Sequence, residues 1–171
     1  MKRKCPLLPS DLQLVIDCMG SSPAHDDILF IAQHLIEFNQ LLQLAELCLP
    51  DNSQLFDMRL SMKRFDVRIQ PDFVHLLLPG HKADKFFAGL HLLLQLPELP
   101  IGPIPFFLCY LTLRDHSFPW RPKLWIRADG SSPTHSWFQS CLHTIFDDGM
   151  SGHSMRAVMP RRAVREVDVE P

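Results

Sequence analysis

The sequence predicts an α+β fold that is mainly helical and contains a small antiparallel sheet. Apolar residues recur at helical spacing over residues 10–19 and again over residues 23–49. Two short apolar runs, residues 73–78 and 90–94, flank a polar turn at residues 79–85, which is typical of a β-hairpin. With 171 residues, of which 46% are hydrophobic, the chain can bury a substantial core.

The first two predicted elements are helices joined at a short Gly-Ser-Ser turn. The second begins near Pro23, because the first helical turn tolerates proline, and Asp26 and Asp27 add negative charge at that end. It ends where Pro50 introduces a turn sequence.

After Pro50 the sequence changes to shorter segments that are rich in β-forming residues. Residues 65–69 and 73–78 are predicted strands, and the second of them forms the hairpin with Lys82 near its tip.

The C-terminal half alternates between helical and extended predictions. Residues 103–114 and 132–146 show helical patterns that begin near proline, and residues 123–127 are a predicted strand. A further helix is predicted to begin over residues 153–157. Residues 161–171 have the composition of a disordered tail.

Charge and composition exclude several classes of function. A formal net charge of -2 gives no overall attraction to nucleic acid or to anionic membranes. The five cysteines are widely separated, and neither they nor the histidines show metal-ligand spacing, so we expect no metal and no cofactor. We also expect no membrane contact and an intracellular protein, because no signal peptide is present and prolines interrupt the longest apolar run: Pro97, Pro100, Pro103 and Pro105.

Four segments carry a family resemblance through their order and spacing. They are Leu42-Gln43-Leu44-Ala45-Glu46-Leu47, Leu78-Pro79-Gly80-His81-Lys82-Ala83-Asp84-Lys85-Phe86-Phe87, Leu124-Trp125-Ile126-Arg127-Ala128-Asp129-Gly130 and Gly152-His153-Ser154-Met155-Arg156-Ala157. Together they resemble the catalytic domain of the tyrosine recombinase, or phage-integrase, family in its fungal, transposon-associated form. The resemblance implies a partial DNA breaking-rejoining fold and a function in DNA integration and recombination.

The resemblance also implies roles for individual residues. In that family a tyrosine attacks a DNA phosphodiester, two arginines and a histidine stabilise the transition state, and a hairpin lysine protonates the leaving 5′ oxygen. By position, Lys82 matches the lysine, with Lys85 as a less favoured substitute. His153 and Arg156 match the His-x-x-Arg pair.

Two departures from the family pattern predict that this chain does not cleave DNA alone. Gln43 stands at the first arginine position, and loss of such a charged contact costs about 3 kcal/mol of transition-state stabilisation. Residues after Arg156 contain no tyrosine, and the sole tyrosine, Tyr110, lies in an apolar segment typical of the core, with its hydroxyl expected at the edge. We therefore expect an inactive, C-terminally truncated remnant that binds double-stranded DNA weakly or not at all and is located in the nucleus.

This interpretation divides the chain into three parts. Residues 1–40 form an N-terminal helical segment, residues 41–157 a partial recombinase-like domain, and residues 158–171 a divergent tail. The alternative function is a non-catalytic helical protein-interaction module that binds a partner or self-associates through exposed apolar surface. A further alternative is an unstable remnant.

Overall fold

The computed structural model describes residues 8–80, 89–95 and 102–146. Within these ranges the chain forms five α-helices and one three-stranded sheet: α1 (Pro9–Met19), α2 (His25–Gln40), α3 (Leu44–Leu47), β1 (Arg68–Ile69), β2 (Phe73–Leu78), β3 (Leu90–Gln95), α4 (Ile104–Ser117) and α5 (His135–Ile145). Three short 3-10 turns, Ser53–Leu55, Met58–Leu60 and Arg64–Asp66, lie between α3 and β1. The predicted α+β class is thus confirmed.

Helix α2 is the centre of the core. Every residue from Ile28 to Phe38 is buried, as expected of a helix that is surrounded by other elements. It packs against α1, α3 and α4, and its Phe30 ring lies 4.9 Å from that of Phe138 on α5. The N-terminal helices therefore share one core with the C-terminal ones.

The prediction of a single helix over residues 23–49 is wrong, because the chain turns after α2. Leu41 adopts the left-handed conformation with φ 53° and ψ 35°, a state that residues other than glycine rarely occupy. This turn allows both Leu42 and Leu44 to reach the core. The chain then continues as the single helical turn of α3.

The sheet has the order β1-β2-β3, with both pairs antiparallel. Strands β2 and β3 agree with the predicted hairpin and pair from Phe73↔Gln95 to Leu78↔Leu90. The predicted strand over residues 65–69 is corrected, since its first part is a 3-10 turn and only Arg68–Ile69 pairs with β2. One face of the hairpin is buried and consists of Val74, Leu76, Leu78, Leu92 and Leu94.

The segment before α5 is irregular, so the strand predicted over residues 123–127 is wrong. It forms one isolated antiparallel bridge, between Lys123 and Lys63. The Leu124 N–H donates to the Met62 carbonyl oxygen beside this bridge, while the Lys123 and Leu124 carbonyls and the Ile126 N–H bond to buried side chains of α4. Helix α5 begins at His135, later than predicted, where the Thr134 hydroxyl accepts a hydrogen bond from the N–H of Trp137.

Among the residues that the structure describes, no helix is both long and apolar enough to cross a bilayer. The helix predicted over residues 153–157 and the predicted tail lie outside these residues.

Candidate functional site

The β2–β3 hairpin presents the segment on which the predicted lysine lies. Leu78 pairs with Leu90, and Gly89, with φ 76°, leads the chain into β3. A Cβ at Gly89 would lie 3.0 Å from the Leu78 carbonyl oxygen, so glycine suits both the backbone angle and the space. Lys82 belongs to the connection between the two strands. Lys82 and its alternative Lys85 lie outside the described residues.

The predicted His-x-x-Arg pair, His153 and Arg156, also lies outside the described residues. The structure therefore gives no distances among Lys82, His153 and Arg156.

Gln43 lies at the surface between α2 and α3. Its side chain is exposed, and its backbone N–H donates a 2.6 Å hydrogen bond to the Glu46 carboxylate, which caps the short helix. Gln43, which the family resemblance matches to the first arginine, is thus accessible to a ligand. The side-chain amide of Gln43 carries no charge, and the negative Glu46 carboxylate is bound to the backbone of the same residue. In this chain the position therefore does not attract phosphate strongly.

Tyr110 is a core residue, as predicted, but its hydroxyl is also buried rather than at the edge. The hydroxyl donates to the Leu124 carbonyl oxygen at 2.8 Å and accepts from the Ile126 N–H at 2.8 Å. Burial raises the pKa of Tyr110 above its ordinary value, which disfavours the phenolate. A hydroxyl that is inaccessible and fully engaged with the backbone cannot attack a DNA phosphate.

The outer face of the hairpin carries a pair of stacked imidazoles. Nε2 of His75 lies 2.5 Å from Nδ1 of His91, and the ring centroids are 4.7 Å apart. Partial burial lowers the pKa of His75, with further lowering by His91 and by Arg68, which is opposite His75 in the sheet. The lowered pKa favours the neutral form of His75. Within the described ranges, no three His, Cys, Asp or Glu side chains are grouped as metal ligands.

An apolar cavity of about 540 Å³ lies between α3, the first two 3-10 turns and the start of α5. Its walls include Leu47, Leu55, Leu60, Met62 and Trp125, together with the more polar Glu46, Asp57 and His135. Leu55 is 71% exposed and Leu60 is 40% exposed, so part of this wall faces solvent. The cavity suits an apolar side chain better than a phosphate.

Two segments to which the sequence analysis assigned no function lie side by side. The bridge between Lys63 and Lys123 sets residues 63–65 beside residues 121–123, directly after Trp120. Each segment combines cations with an aromatic residue, Phe65 in one and Trp120 in the other. That local composition, Lys-Arg-Phe and Trp-Arg-Pro-Lys, is the signal from which the surface could have been found.

No protein-family model and no curated protein sequence matches this chain.

Proposed function

We propose that the chain is a domain of the tyrosine recombinase type, related to enzymes of DNA integration and recombination, which binds double-stranded DNA weakly at most and does not cleave DNA by itself. The observation that carries the proposal is the β2–β3 hairpin, whose register ends at Leu78↔Leu90 and leaves Lys82 in the connection. The order of the elements supports it as well. Gln43 immediately precedes α3, the sheet follows, and two helices separate it from His153 and Arg156.

In this proposal Lys82, His153 and Arg156 act as donors to a phosphodiester of double-stranded DNA. A lysine and an arginine supply charge to the phosphate, and the histidine supplies a hydrogen bond. Such a protein acts on chromosomal DNA, so the proposal places it in the nucleus. No metal or cofactor is needed for this binding.

The absence of cleavage follows from two positions. Gln43 contributes no charge where the family has an arginine. Tyr110, the sole tyrosine of the sequence, is held inside the core by Leu124 and Ile126. A nucleophile for strand cleavage therefore does not come from Tyr110.

A duplex-binding titration tests the proposal. A fluorescent 20-base-pair duplex is titrated with the wild type, Lys82→Ala, Arg156→Ala and the control Lys85→Ala over a series of salt concentrations. We expect weak binding at low salt, and we expect loss of one phosphate contact to reduce the slope of log K against log salt by about 0.9. The proposal is contradicted if Lys85→Ala has the same effect as Lys82→Ala, or if the wild type binds the duplex tightly at moderate salt.

Gln43→Arg is the complementary variant, because it restores the charge at an exposed position. We expect tighter duplex binding and a steeper salt dependence by about 0.9, whereas the neutral control Gln43→Met should not increase the slope. An unchanged slope in Gln43→Arg would place this position away from the DNA.

Covalent trapping tests the absence of cleavage. A nicked suicide substrate, which releases the leaving strand, is incubated with the wild type and with Tyr110→Phe, and protein–DNA adducts are separated on a denaturing gel. We expect no adduct with either protein. An adduct formed by the wild type would refute the non-cleaving assignment, and its loss in Tyr110→Phe would identify Tyr110 as the nucleophile.

A second candidate function is a protein-interaction module that self-associates. The observation that favours it is the apolar cavity with Leu55 and Leu60 partly exposed in its wall. Sedimentation velocity over a range of concentrations tests it, with Leu55→Glu expected to abolish dimers and Leu55→Met to retain them. A wild type that stays monomeric at high concentration excludes this candidate.

A further inference from the structure

We propose that residues 63–65 and 120–123 form a surface that binds single-stranded DNA, by contacts to phosphates and by stacking of an unpaired base on Trp120. This inference deepens the proposed function and rests on it, because it names a second form of DNA that the domain contacts. We refer to the two segments together as the aromatic-basic surface.

The two segments are fixed to each other by backbone hydrogen bonds. The Arg64 N–H donates to the Pro122 carbonyl oxygen at 2.9 Å, and the Leu124 N–H donates to the Met62 carbonyl oxygen at 2.9 Å. These bonds flank the bridge between Lys63 and Lys123. Residues that are distant in sequence therefore form one continuous surface.

The aromatic side chains of this surface are unusually exposed. Trp120 is 93% exposed and Phe65 is 73% exposed. Large aromatic rings bury most of their area in folded proteins, and an exposed ring next to positive charge is a common platform for base stacking.

The loop that carries Trp120 is held in place by a buried guanidinium. Arg114 on α4 is 1% exposed and donates to the carbonyl oxygens of Phe118 at 3.1 Å, Lys123 at 2.8 Å and Arg121. Proline on either side of the Trp120-Arg121 pair restricts the backbone further. Trp120 is thus presented on an ordered loop, and a ligand that stacks on it meets a preorganised site.

The charges of the surface are positive and largely uncompensated. Lys63, Arg121 and Lys123 form no ion pair within the part of the chain that the structure describes. Arg64, in contrast, is neutralised by Asp115 at 2.7 Å. Partial burial, and then the proximity of Lys63 and Arg121, lowers the pKa of Lys123, as expected where cations crowd together.

The half-buried Lys123 is oriented by its neighbours. Its Nζ donates to the Ser132 hydroxyl at 3.0 Å and lies 4.8 Å from the centre of the Phe56 ring. Lys63, Arg121 and Lys123 lie close to one another, and Arg121 adjoins the exposed Trp120 in sequence. Cations and an exposed indole match the phosphate and the base of a flexible single strand. A duplex keeps its bases stacked inside and offers none to Trp120.

Tryptophan fluorescence provides the test. The full chain is titrated with oligo(dT) of 15 nucleotides at 50 mM salt, and quenching is recorded. Trp125 is buried and Trp137 is half-buried, so stacking on the exposed Trp120 should dominate the change. We expect Trp120→Ala to lose most of the quenching and to weaken binding about tenfold, and Trp120→Phe to weaken it less.

Charge variants test the phosphate contacts. We expect Arg121→Gln and Lys63→Gln each to reduce the slope of log K against log salt by about 0.7, whereas Arg68→Gln, an exposed cation on β1, should leave it unchanged. All of these side chains lie at least partly on the surface, and a thermal melt of each variant checks that it remains folded.

The outcomes separate this inference from the proposed function. If the wild type binds duplex in a Lys82-dependent manner but oligo(dT) binding is absent or indifferent to Trp120, the aromatic-basic surface is refuted and the recombinase proposal stands. If oligo(dT) binding depends on Trp120 while duplex binding is unchanged in Lys82→Ala, the aromatic-basic surface stands and the recombinase proposal is refuted. Trp120-dependent binding to vesicles of anionic phospholipid, without binding to oligo(dT), would assign the surface to membranes and refute the inference.

Discussion

His34, on the central helix α2, makes folding stability sensitive to mild acid. Its imidazole is fully buried, stacked at 5.6 Å on Phe30 and tilted against Phe138. Neither ring nitrogen has a hydrogen-bond partner among the described residues. Burial lowers the pKa of His34 from 6.5 to about 3, because a charged imidazole there would be without water.

The sign and size of the effect follow from this lowered pKa. Between pH 6.5 and about 3 the unfolded chain binds a proton at His34 that the folded chain does not, so stability falls as the pH decreases. At pH 5, about 1.5 units below the unfolded value, the loss is about 2 kcal/mol relative to neutral pH. The comparison stops at pH 5 because carboxyl groups with ordinary pKa values, about 4, take up protons mainly below that pH.

Urea denaturation at pH 7, 6 and 5, followed by tryptophan fluorescence, measures this loss. The perturbation is His34→Leu, which removes the titrating group and its two unpaired nitrogens. We expect the variant to lose about 2 kcal/mol less stability than the wild type between pH 7 and pH 5. A control, His116→Leu at an exposed position of α4, should retain the pH dependence of the wild type.

The reasoning is refuted if His34→Leu and the wild type show the same pH dependence. A second measurement covers the case in which the variant folds poorly. The imidazole proton resonances of His34 in the wild type should keep the chemical shifts of a neutral ring down to pH 5. A titration near pH 6.5 would mean that the ring is hydrated or hydrogen-bonded in solution.

Three further substitutions have defined costs, each measured as a change in the free energy of unfolding by urea denaturation at pH 7. Arg114→Met should cost about 3 to 5 kcal/mol, because it removes donors to three carbonyls and leaves Asp115 with one partner fewer. A cost below 1 kcal/mol would contradict the conclusion that Arg114 holds the Trp120 loop in place. Tyr110→Phe should cost about 1 to 3 kcal/mol, since buried backbone groups lose their partner; no loss would indicate that water replaces the hydroxyl. Thr134→Ala should cost about 1 kcal/mol and Thr134→Ser much less, and equal costs would exclude the N-cap contact.

Elements that depend on the local pattern of apolar and turn residues could be predicted from the sequence. The hairpin strands follow from two apolar runs around a polar turn, and β2 has the predicted bounds, Phe73–Leu78. In contrast, the turn after α2 depends on Leu41 in a left-handed conformation, for which a leucine gives no local signal. The helix ends there because Leu42 and Leu44 are buried in the core. Helical periodicity in the sequence does not reveal tertiary packing of this kind.

The irregular segment before α5 illustrates the same limit. Its β-forming residues predicted a strand, but within the described residues its pairing with another segment is limited to an isolated bridge at Lys123. Tyr110 and Arg114 on α4 supply hydrogen bonds to the backbone on both sides of Leu124. Side-chain contacts across such sequence distances are not encoded in local propensity. The core position of Tyr110 was predictable from its apolar neighbours, whereas the burial of its hydroxyl was not.

Within the described residues, β3 forms one edge of the sheet, and its composition offers little protection against intermolecular strand pairing. The opposite edge, β1, is only two residues long and carries Arg68, whereas β3 reads Leu-His-Leu-Leu-Leu-Gln, with no lysine, acidic residue or proline. Gln40 covers one point of this edge by donating to the Leu93 carbonyl oxygen at 3.4 Å. An exposed apolar edge strand is an expected site of intermolecular pairing and aggregation. We therefore expect His91→Lys, which adds a charge to β3, to reduce aggregation of the protein at high concentration.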